Sequence, residues 1–319
     1  MKNLFMIIAV VFAMLVVGCA EDEAAAPEDN GGTAQNEAES TEESFSVNDF
    51  VRGYIADLAD GNNIVSMDDF VAMAEAGEDL YVVDIRRAED YDEGHIDGAV
   101  NVPWGTSAMW ESIPHLPTDE TVYVHCYSGQ TAGQAIVMMR MAGVDAVSVN
   151  SGWNLGISRV DGYESAVSTD AAEIDTSFRN DVSDEVLGII QEYYEALEDV
   201  AGTTFTNNMV SEENAKAIHD AEDESVQFVS MRRPDDFAEG HIEGAVNFPF
   251  GPDMTDILDM LPTDKKLISY CYSGQTCNQG IALLRLVGYD AVSILYGFGT
   301  PRTDPRGWVN QDYPVVSSN

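Results

Sequence analysis

One internal duplication constrains this 319-residue chain more than any other feature. The sequence YDEGHIDGAVNVPWG at 91–105 recurs as FAEGHIEGAVNFPFG at 237–251, and LPTDETVYVHCYSGQT at 116–131 recurs as LPTDKKLISYCYSGQT at 261–276. The spacing between the two motifs differs by a single residue from one copy to the other. Long matches in the same order exclude chance, so the chain contains two homologous domains of ordinary size.

Each copy alternates short β-rich runs with helical patterns, which indicates an α/β fold with a parallel sheet flanked by helices. The predicted strands of the two copies are 81–84, 99–101, 121–125 and 146–149, then 227–230, 245–247, 267–270 and 291–295. Apolar residues between Ser183 and Val200 recur at helical spacing after an acidic start that suits the helix dipole. We therefore predict that this helix opens the second domain.

The N-terminal segment has the pattern of an export signal. The run from Leu4 to Val17 carries no charge and is too short for a comfortable membrane span. It leads into Val-Val-Gly-Cys, which resembles the bacterial lipobox, and that resemblance implies acylation of Cys19 and its role as a membrane anchor. Ala20 in the next position favours the outer membrane in a Gram-negative cell. The alternatives are an ordinary signal peptide and an uncleaved signal anchor.

Composition completes the predicted domain organisation. The stretch after the signal is rich in Glu, Ala, Asp and Gly, which is typical of a flexible tether, and the stretch between the copies lacks a sustained apolar period. The predicted segments are a lipoprotein signal peptide at 1–19, an acidic tether at 20–44, a first domain at 45–165, a linker at 166–182 and a second domain at 183–319. We expect the domains to lie outside the cytoplasm, on the periplasmic or cell-surface side.

Charge and cysteine content limit the function classes. The chain has 56 acidic and 15 basic residues, a formal net charge of −41. Phosphate binding needs clustered Lys and Arg, so nucleic acid is excluded as a partner, and the membrane is contacted only through the lipid anchor. Apart from Cys19 there are three cysteines, so at least one thiol is unpaired. We assign no metal site and no cofactor.

The unpaired thiols lie in the most distinctive motif of the chain. In both copies a β-rich run ends directly at Cys126 or Cys271 and is followed by a short loop and a helical pattern. A thiol at this position faces loop N–H groups and a helix N-terminus, which favours the thiolate and a bound anion. The predicted anion-binding loops are Tyr127, Ser128, Gly129, Gln130 and Thr131, and Tyr272, Ser273, Gly274, Gln275 and Thr276. The alternative is a pair of buried structural cysteines.

These residues resemble the rhodanese superfamily, in which an active-site Cys opens a short loop that cradles a persulfide or an oxyanion. The six-residue CYSGQT loops, the DIR sequence at 84–86, the EGHI-x-GA-x-N-x-P motif and the YP dipeptide at 313–314 carry the resemblance. It covers nearly all of 62–155 and 205–316, and it implies two tandem rhodanese-like domains.

The resemblance also implies the chemistry of sulfur transfer by double displacement. The thiolate of Cys126 or Cys271 would take a sulfane sulfur from a small donor as a persulfide and pass it to a thiol or cyanide acceptor. Candidate donors are thiosulfate, polysulfide and another persulfide. The loops contain no Arg or Lys, which weakens the attraction for a doubly charged donor and favours a less charged sulfur carrier.

Residues outside the loops are interpreted as structural support. Asp84 and Arg86 match the family's Asp-x-Arg element and are predicted to form a fixed pair. Ser230 occupies the place of Asp84 in the second copy, so we expect Arg232 to lack this ion pair. The histidine of each EGHI motif is interpreted as structural because the family uses the motif in this way.

The second copy has one additional thiol, Cys277, where the first copy has Ala132. One hypothesis is that Cys277 resolves an oxidised or persulfidated Cys271 through a reversible disulfide, but the favoured interpretation is a packed bystander thiol on the helix.

Two further functions stay open at this stage. One is a non-enzymatic sulfur-relay or redox partner of other cell-envelope proteins. The other is thiol-dependent reduction of an oxyanion, which would require the Cys271 and Cys277 pair.

Overall fold

The computed structural model describes residues 44–318. The predicted signal peptide, Cys19 and nearly all of the predicted tether lie outside the described residues. None of the helices within 44–318 is long and apolar enough to cross a membrane.

The α-helices of the described residues are α1 (Val47–Asp57), α2 (Met67–Glu75), α3 (Ala88–Glu93), α4 (Ala108–Ser112), α5 (Gln130–Met141), α6 (Asp184–Val200), α7 (Glu212–Asp220), α8 (Pro234–Glu239), α9 (Met254–Ile257) and α10 (Gln275–Leu286). The strands are β1 (Ile64–Val65), β2 (Tyr81–Asp84), β3 (His95–Ile96), β4 (Val100–Asn101), β5 (Thr121–His125), β6 (Asp145–Val149), β7 (Val167–Ser168), β8 (Met209–Val210), β9 (Val226–Ser230), β10 (Val246–Asn247), β11 (Lys266–Tyr270) and β12 (Ala291–Ile294).

Each copy is built around a five-stranded parallel sheet, as the sequence predicts. The strand order is β1-β6-β5-β2-β4 in the first copy and β8-β12-β11-β9-β10 in the second. Every predicted strand is found within one residue of its predicted bounds, and the helix predicted at 183–200 is α6, capped by the Ser183 hydroxyl. The central strands β5 and β11 lead directly into the two cysteine loops, so both loops lie at the carboxyl edges of their sheets.

Helices α5 and α10 pack against each other and join the two copies. They come so close that a Cβ on Gly133 would lie 2.6 Å from the carbonyl oxygen of Gln275. Ten of the twelve residues of α5 are buried, because the helix is covered by its own sheet on one side and by the other copy on the other. One apolar cluster therefore contains residues of both copies, and two smaller clusters cover the outer sheet faces.

The leading helix of each copy packs on the other copy. Helix α1 precedes the first copy but contacts α9 and α10, and its Tyr54 hydroxyl donates to Gln279 Oε1 at 2.8 Å. Helix α6 precedes the second copy but contacts α4, and its Tyr193 hydroxyl donates to Gln134 Oε1 at 2.6 Å. The helix that was predicted to open the second domain thus also completes the surface of the first.

The predicted linker at 166–182 lies along the first copy. Strand β7 pairs with β3 in an antiparallel two-stranded sheet. The side-chain amide of Asn180 donates to the carbonyl oxygens of Ile113 and Leu116 at 2.9 and 3.1 Å. These contacts hold both ends of the segment to the first domain.

We expect Gly133→Ala to destabilise the protein by about 1–3 kcal/mol, because the new methyl group would force α5 and α10 apart. Gly188→Ala in the exposed part of α6 is the matched control, since its Cβ would meet no atom within 4 Å. The control is expected to stabilise by up to about 1 kcal/mol through helix propensity. Urea unfolding measures both, and equal effects would contradict the close helix contact.

Candidate functional site

Cys126 and Cys271 occupy equivalent positions, directly after β5 and β11. Both side chains are buried, with exposures of 2% and 1%. The backbone N–H of Gly129 donates to Cys126 Sγ at 3.1 Å, and that of Gly274 donates to Cys271 Sγ at 3.1 Å. These glycines have φ values of +81° and +93°, a conformation that strongly favours glycine. Each loop therefore directs an amide and a helix N-terminus at its sulfur, which stabilises negative charge there.

The segments that follow β6 and β12 hold the cysteine loops through backbone hydrogen bonds. The N–H of Trp153 donates to Cys126 O at 2.7 Å, and the N–H of Phe298 donates to Cys271 O at 2.8 Å. A Cβ on Gly152 would lie 2.7 Å from the Gly129 nitrogen, so only glycine allows this approach. Sequence analysis missed this support, although a glycine follows the cysteine at the same distance in both copies.

The tyrosine after each cysteine attaches the loop to a neighbouring helix. The Tyr127 hydroxyl accepts from the Arg87 N–H at 3.1 Å and donates to the Asp90 carboxylate. Tyr272 makes the same two contacts, accepting from the Arg233 N–H at 3.3 Å and donating to the Asp236 carboxylate.

These tyrosines hold the backbone of an arginine beside each neutral loop. The Arg233 side chain is 81% exposed, and its Nε donates to the Tyr272 hydroxyl at 3.3 Å. Arg87 is the equivalent residue in the first copy and is also exposed. Neither arginine could be recognised from the loop sequences, because both lie outside the loops, directly after the DIR and SMR sequences.

Asp84 and Arg86 form the predicted pair. Arg86 donates to Asp84 Oδ2 through Nε at 2.9 Å and through Nη2 at 2.6 Å. The guanidinium also donates to Gly94 O at 2.7 Å and stacks 3.9 Å above the Trp153 ring. The pair thus joins β2 to the chain that supports the cysteine loop.

His125 is buried beside this pair, directly before Cys126 in the chain. Its Nδ1 lies 3.7 Å from Asp84 Oδ1, and neither ring nitrogen has a hydrogen-bond partner among residues 44–318. Burial lowers the pKa of His125 below its usual value, against the opposing effect of the Asp84 carboxylate. Burial therefore favours the neutral form of the ring.

The second copy supports its loop differently. Ser230, Tyr270 and Phe298 replace Asp84, His125 and Trp153. The Arg232 guanidinium stacks 3.7 Å from the centre of the Phe298 ring and donates to the Gly240 carbonyl. Its Nε has no partner in the described part of the chain, where no carboxylate pairs with this arginine.

The EGHI histidines contact backbone groups. His95 Nδ1 lies 2.8 Å from Tyr91 O, and its ring stacks on Tyr91 with centroids 3.6 Å apart. His241 has the same relation to Phe237, at 2.8 and 3.9 Å. These contacts give both rings a structural setting.

Cys277 lies on α10 and is fully buried. Its backbone N–H donates to Cys271 Sγ at 3.4 Å, an interaction that Ala132 does not reproduce in the first copy. Burial, and secondarily the neighbouring Cys271, raise the pKa of the Cys277 thiol well above its usual value. All three cysteines of the described residues are free thiols. The resolving role of Cys277 stays a prediction.

The remaining loop side chains make no hydrogen bond to either sulfur within the described part of the chain. Gln130 donates to the Ser128 hydroxyl at 2.9 Å, and Gln275 reaches across to the first copy. No hydrogen bond joins the hydroxyls of Thr131, Ser273 or Thr276 to a cysteine sulfur within 44–318. Within 44–318, the groups that donate hydrogen bonds to the two sulfurs are therefore backbone amides.

Comparisons with known proteins agree with this geometry. The family profile described as "Rhodanese-like domain" matches residues 66–156 and 213–298, together more than half of the chain. A probable adenylyltransferase/sulfurtransferase, MoeZ, of Mycobacterium tuberculosis is 32% identical over 79 residues, which are 24% of this chain and 20% of that protein. A putative sulfur carrier protein, YrkF, of Bacillus subtilis is 28% identical over 83 residues, which are 26% of this chain and 44% of that protein.

Solved structures that resemble parts of this chain include a thiosulfate sulfurtransferase from Pseudomonas aeruginosa. It is 16% identical, with a TM-score of 0.32, and the match covers 78% of this chain and 46% of that one. A rhodanese-related protein from Thermoplasma volcanium is 19% identical, with a TM-score of 0.29, over 34% of this chain and 96% of that one.

We expect Asp84→Asn to destabilise the protein by about 3 kcal/mol, because it leaves the buried Arg86 guanidinium without a countercharge. Asp145→Asn is the matched control: it removes the partly exposed ion pair with Arg140 and is expected to cost less than about 1 kcal/mol. Urea unfolding of both variants at neutral pH measures the difference. Equal losses would show that the buried pair does not support the first domain in this way.

Proposed function

Because this chain belongs to the rhodanese-like domain family, we propose that it is a sulfurtransferase that carries a sulfane sulfur as a persulfide on Cys126 and Cys271. The observation that carries the proposal is the amide hydrogen bond to each sulfur, from Gly129 and from Gly274. Two copies with the same arrangement provide two candidate sites in one chain. Relatives described as a sulfurtransferase and a sulfur carrier support this class of chemistry.

The proposed reaction has two displacements at sulfur. The thiolate attacks the outer sulfur of the donor, an S–S bond forms, and the donor's own S–S bond breaks as its electron pair leaves with the remaining donor fragment. The resulting persulfide carries its negative charge on the terminal sulfur, next to the loop amides and the helix N-terminus. A thiol or cyanide acceptor then attacks that sulfur and regenerates the thiolate.

We propose a polysulfide or a low-molecular-weight persulfide as the donor. The loop side chains are neutral. Arg87 contacts its loop through its backbone N–H and Arg233 through the Tyr272 hydroxyl, and neither donates to a cysteine sulfur within 44–318. Backbone amides are suited to one negative charge, and a dianion such as thiosulfate would gain less from them than from a cation within the loop.

The proposed location is the cell envelope. It rests on the apolar N-terminal run and on the lipobox-like sequence that ends at Cys19. A lipid on Cys19 would hold the acidic domains at the membrane while their negative surface keeps them from binding anionic lipids.

A sulfur relay to another envelope protein is the second candidate. The near-complete burial of Cys126 and Cys271 favours it, because a partner that binds beside the loops would control access to the sulfur. Oxyanion reduction by Cys271 and Cys277 is less well supported, because burial keeps the Cys277 thiol protonated.

Incubation with polysulfide is expected to add persulfide sulfur to Cys126 and Cys271. Intact-protein mass spectrometry of the Cys19→Ser chain should show mass gains equal to one sulfur atom per site. Cys126→Ala and Cys271→Ala should each lose one such gain, because each removes one thiolate.

Cys277→Ala is the control for this experiment, since the raised pKa of the Cys277 thiol keeps it protonated and it is not expected to carry sulfur. A wild-type chain that gains no mass with polysulfide, thiosulfate or glutathione persulfide would disprove the proposal. Loading without turnover to cyanide or glutathione would support the relay instead.

The location is tested separately by detergent-phase partitioning of the protein produced in a bacterial host. The native chain should enter the detergent phase, and Cys19→Ser should move to the aqueous phase because it cannot be acylated. Equal partitioning of both would contradict lipid anchoring.

A further inference from the structure

Gln130 and Gln275 occupy the same position in the two loops, and each side chain crosses to the other copy. Both residues are 2% exposed. A Cβ on Gly129 would meet the Gln275 side chain, and a Cβ on Gly274 would meet the Gln130 side chain. Each glutamine therefore lies against the glycine whose amide donates to the sulfur of the other copy.

Gln275 binds the first copy through three hydrogen bonds. Its Oε1 accepts from the Ser151 N–H at 2.9 Å, and its Nε2 donates to Ser148 Oγ at 2.9 Å and to Val149 O at 3.1 Å. These partners lie at the end of β6, directly before the glycine that supports the first cysteine loop.

Gln130 binds the second copy through a single hydrogen bond. Its Oε1 accepts from the Tyr296 N–H at 2.9 Å, which is equivalent to the contact between Gln275 and Ser151. Its Nε2 turns back to Ser128 of its own loop. The exchange between the copies is therefore reciprocal but unequal.

Gln275 makes more hydrogen bonds across the interface than Gln130 because the two helices differ at one equivalent position, Gly133 in α5 and Asn278 in α10. In the second copy Asn278 donates to Ser293 Oγ at 2.8 Å and occupies that hydroxyl. The equivalent residues of the first copy are Gly133 and Ser148, and a glycine cannot make this bond. The Ser148 hydroxyl is thus available to the glutamine of the other copy.

We propose that each glutamine is a positioning residue for the cysteine of the opposite copy, and that Cys126 depends on Gln275 more strongly than Cys271 depends on Gln130. Gln275 contacts both segments that surround Cys126. It lies against Gly129 of the cysteine loop, and it binds Ser151, which precedes Gly152 of the supporting segment. Loss of this side chain removes contacts that hold the cysteine loop and the supporting segment in place, and it weakens the amide hydrogen bond to Cys126 Sγ. The positioning role concerns the reactivity of the thiols and does not require sulfur transfer. Only its effect on sulfur transfer rests on the proposed function.

The test measures the reactivity of each thiol across the interface. In a Cys19→Ser, Cys277→Ala background, peptide mass spectrometry follows alkylation of Cys126 and Cys271 by iodoacetamide as a function of pH. Gln275→Ala should slow Cys126 about tenfold at neutral pH and move its pH profile upward by about one unit, in line with the loss of one hydrogen bond to a charged group. Cys271, in the same loop as the substitution, should change less than this.

Gln130→Ala should slow the alkylation of Cys271 more than that of Cys126. The decrease should be smaller, about threefold, because this variant loses one hydrogen bond between the copies instead of three. The proposal would be overturned if each variant slowed mainly the cysteine in the same loop as the substitution, or if both cysteines were slowed equally. So would unchanged pH profiles in a folded protein.

Ser148→Ala keeps the proposal testable if the glutamine variants unfold. It removes one partner of Gln275 without altering either loop, and it should slow Cys126 by about twofold to fivefold. Ser293→Ala is the matched control, because this hydroxyl accepts from Asn278 of its own copy, and it should leave Cys126 unchanged. Identical Cys126 rates in the two serine variants would also contradict the proposal.

The two proposals fail separately. If each glutamine variant slows mainly the cysteine of the opposite copy but no donor loads sulfur, the positioning role stands and sulfur transfer is wrong. If sulfur loads but the crossed pattern is missing, sulfur transfer stands and the positioning role is wrong.

Discussion

The close approach of α5 and α10 at Gly133 is the contact on which the rest of the described structure depends. Because no side chain separates the two backbones there, the N-terminal ends of both helices meet, and each carries a cysteine loop. The two sites therefore share one interface. The packing that joins the domains also determines which groups surround each sulfur.

That interface is polar as well as close, which has a cost unless every group is paired. Gln134 accepts from Tyr193 and donates to Asn278, and Gln279 accepts from Tyr54 and donates to Asn62 O. A slip of one residue between α5 and α10 would leave several buried amides unpaired, each costing about 1–3 kcal/mol. This network favours a single alignment of the two copies more strongly than an apolar contact would.

The two sites have diverged around a shared architecture. Both keep an arginine stacked on an aromatic ring below the loop, Arg86 on Trp153 and Arg232 on Phe298. Only the first adds a carboxylate, Asp84, and the second instead has an additional amide bond from the Cys277 N–H to its sulfur. The same loop sequence is thus held by different surroundings, so the two cysteines are expected to differ in reactivity.

The sequence alone determined the duplication, the parallel sheets, the positions of both cysteine loops and the loss of the ion pair at Arg232, because each of these follows from local pattern or from comparison of the copies. It did not reveal that α1 and α6 pack across the copies, since an apolar face shows that a helix is buried and not against which partner. Only the tertiary structure showed that Gln130 and Gln275 cross to the opposite sites. Their contacts join residues more than a hundred positions apart, and such pairs meet only when two folded sheets are brought together at Gly133.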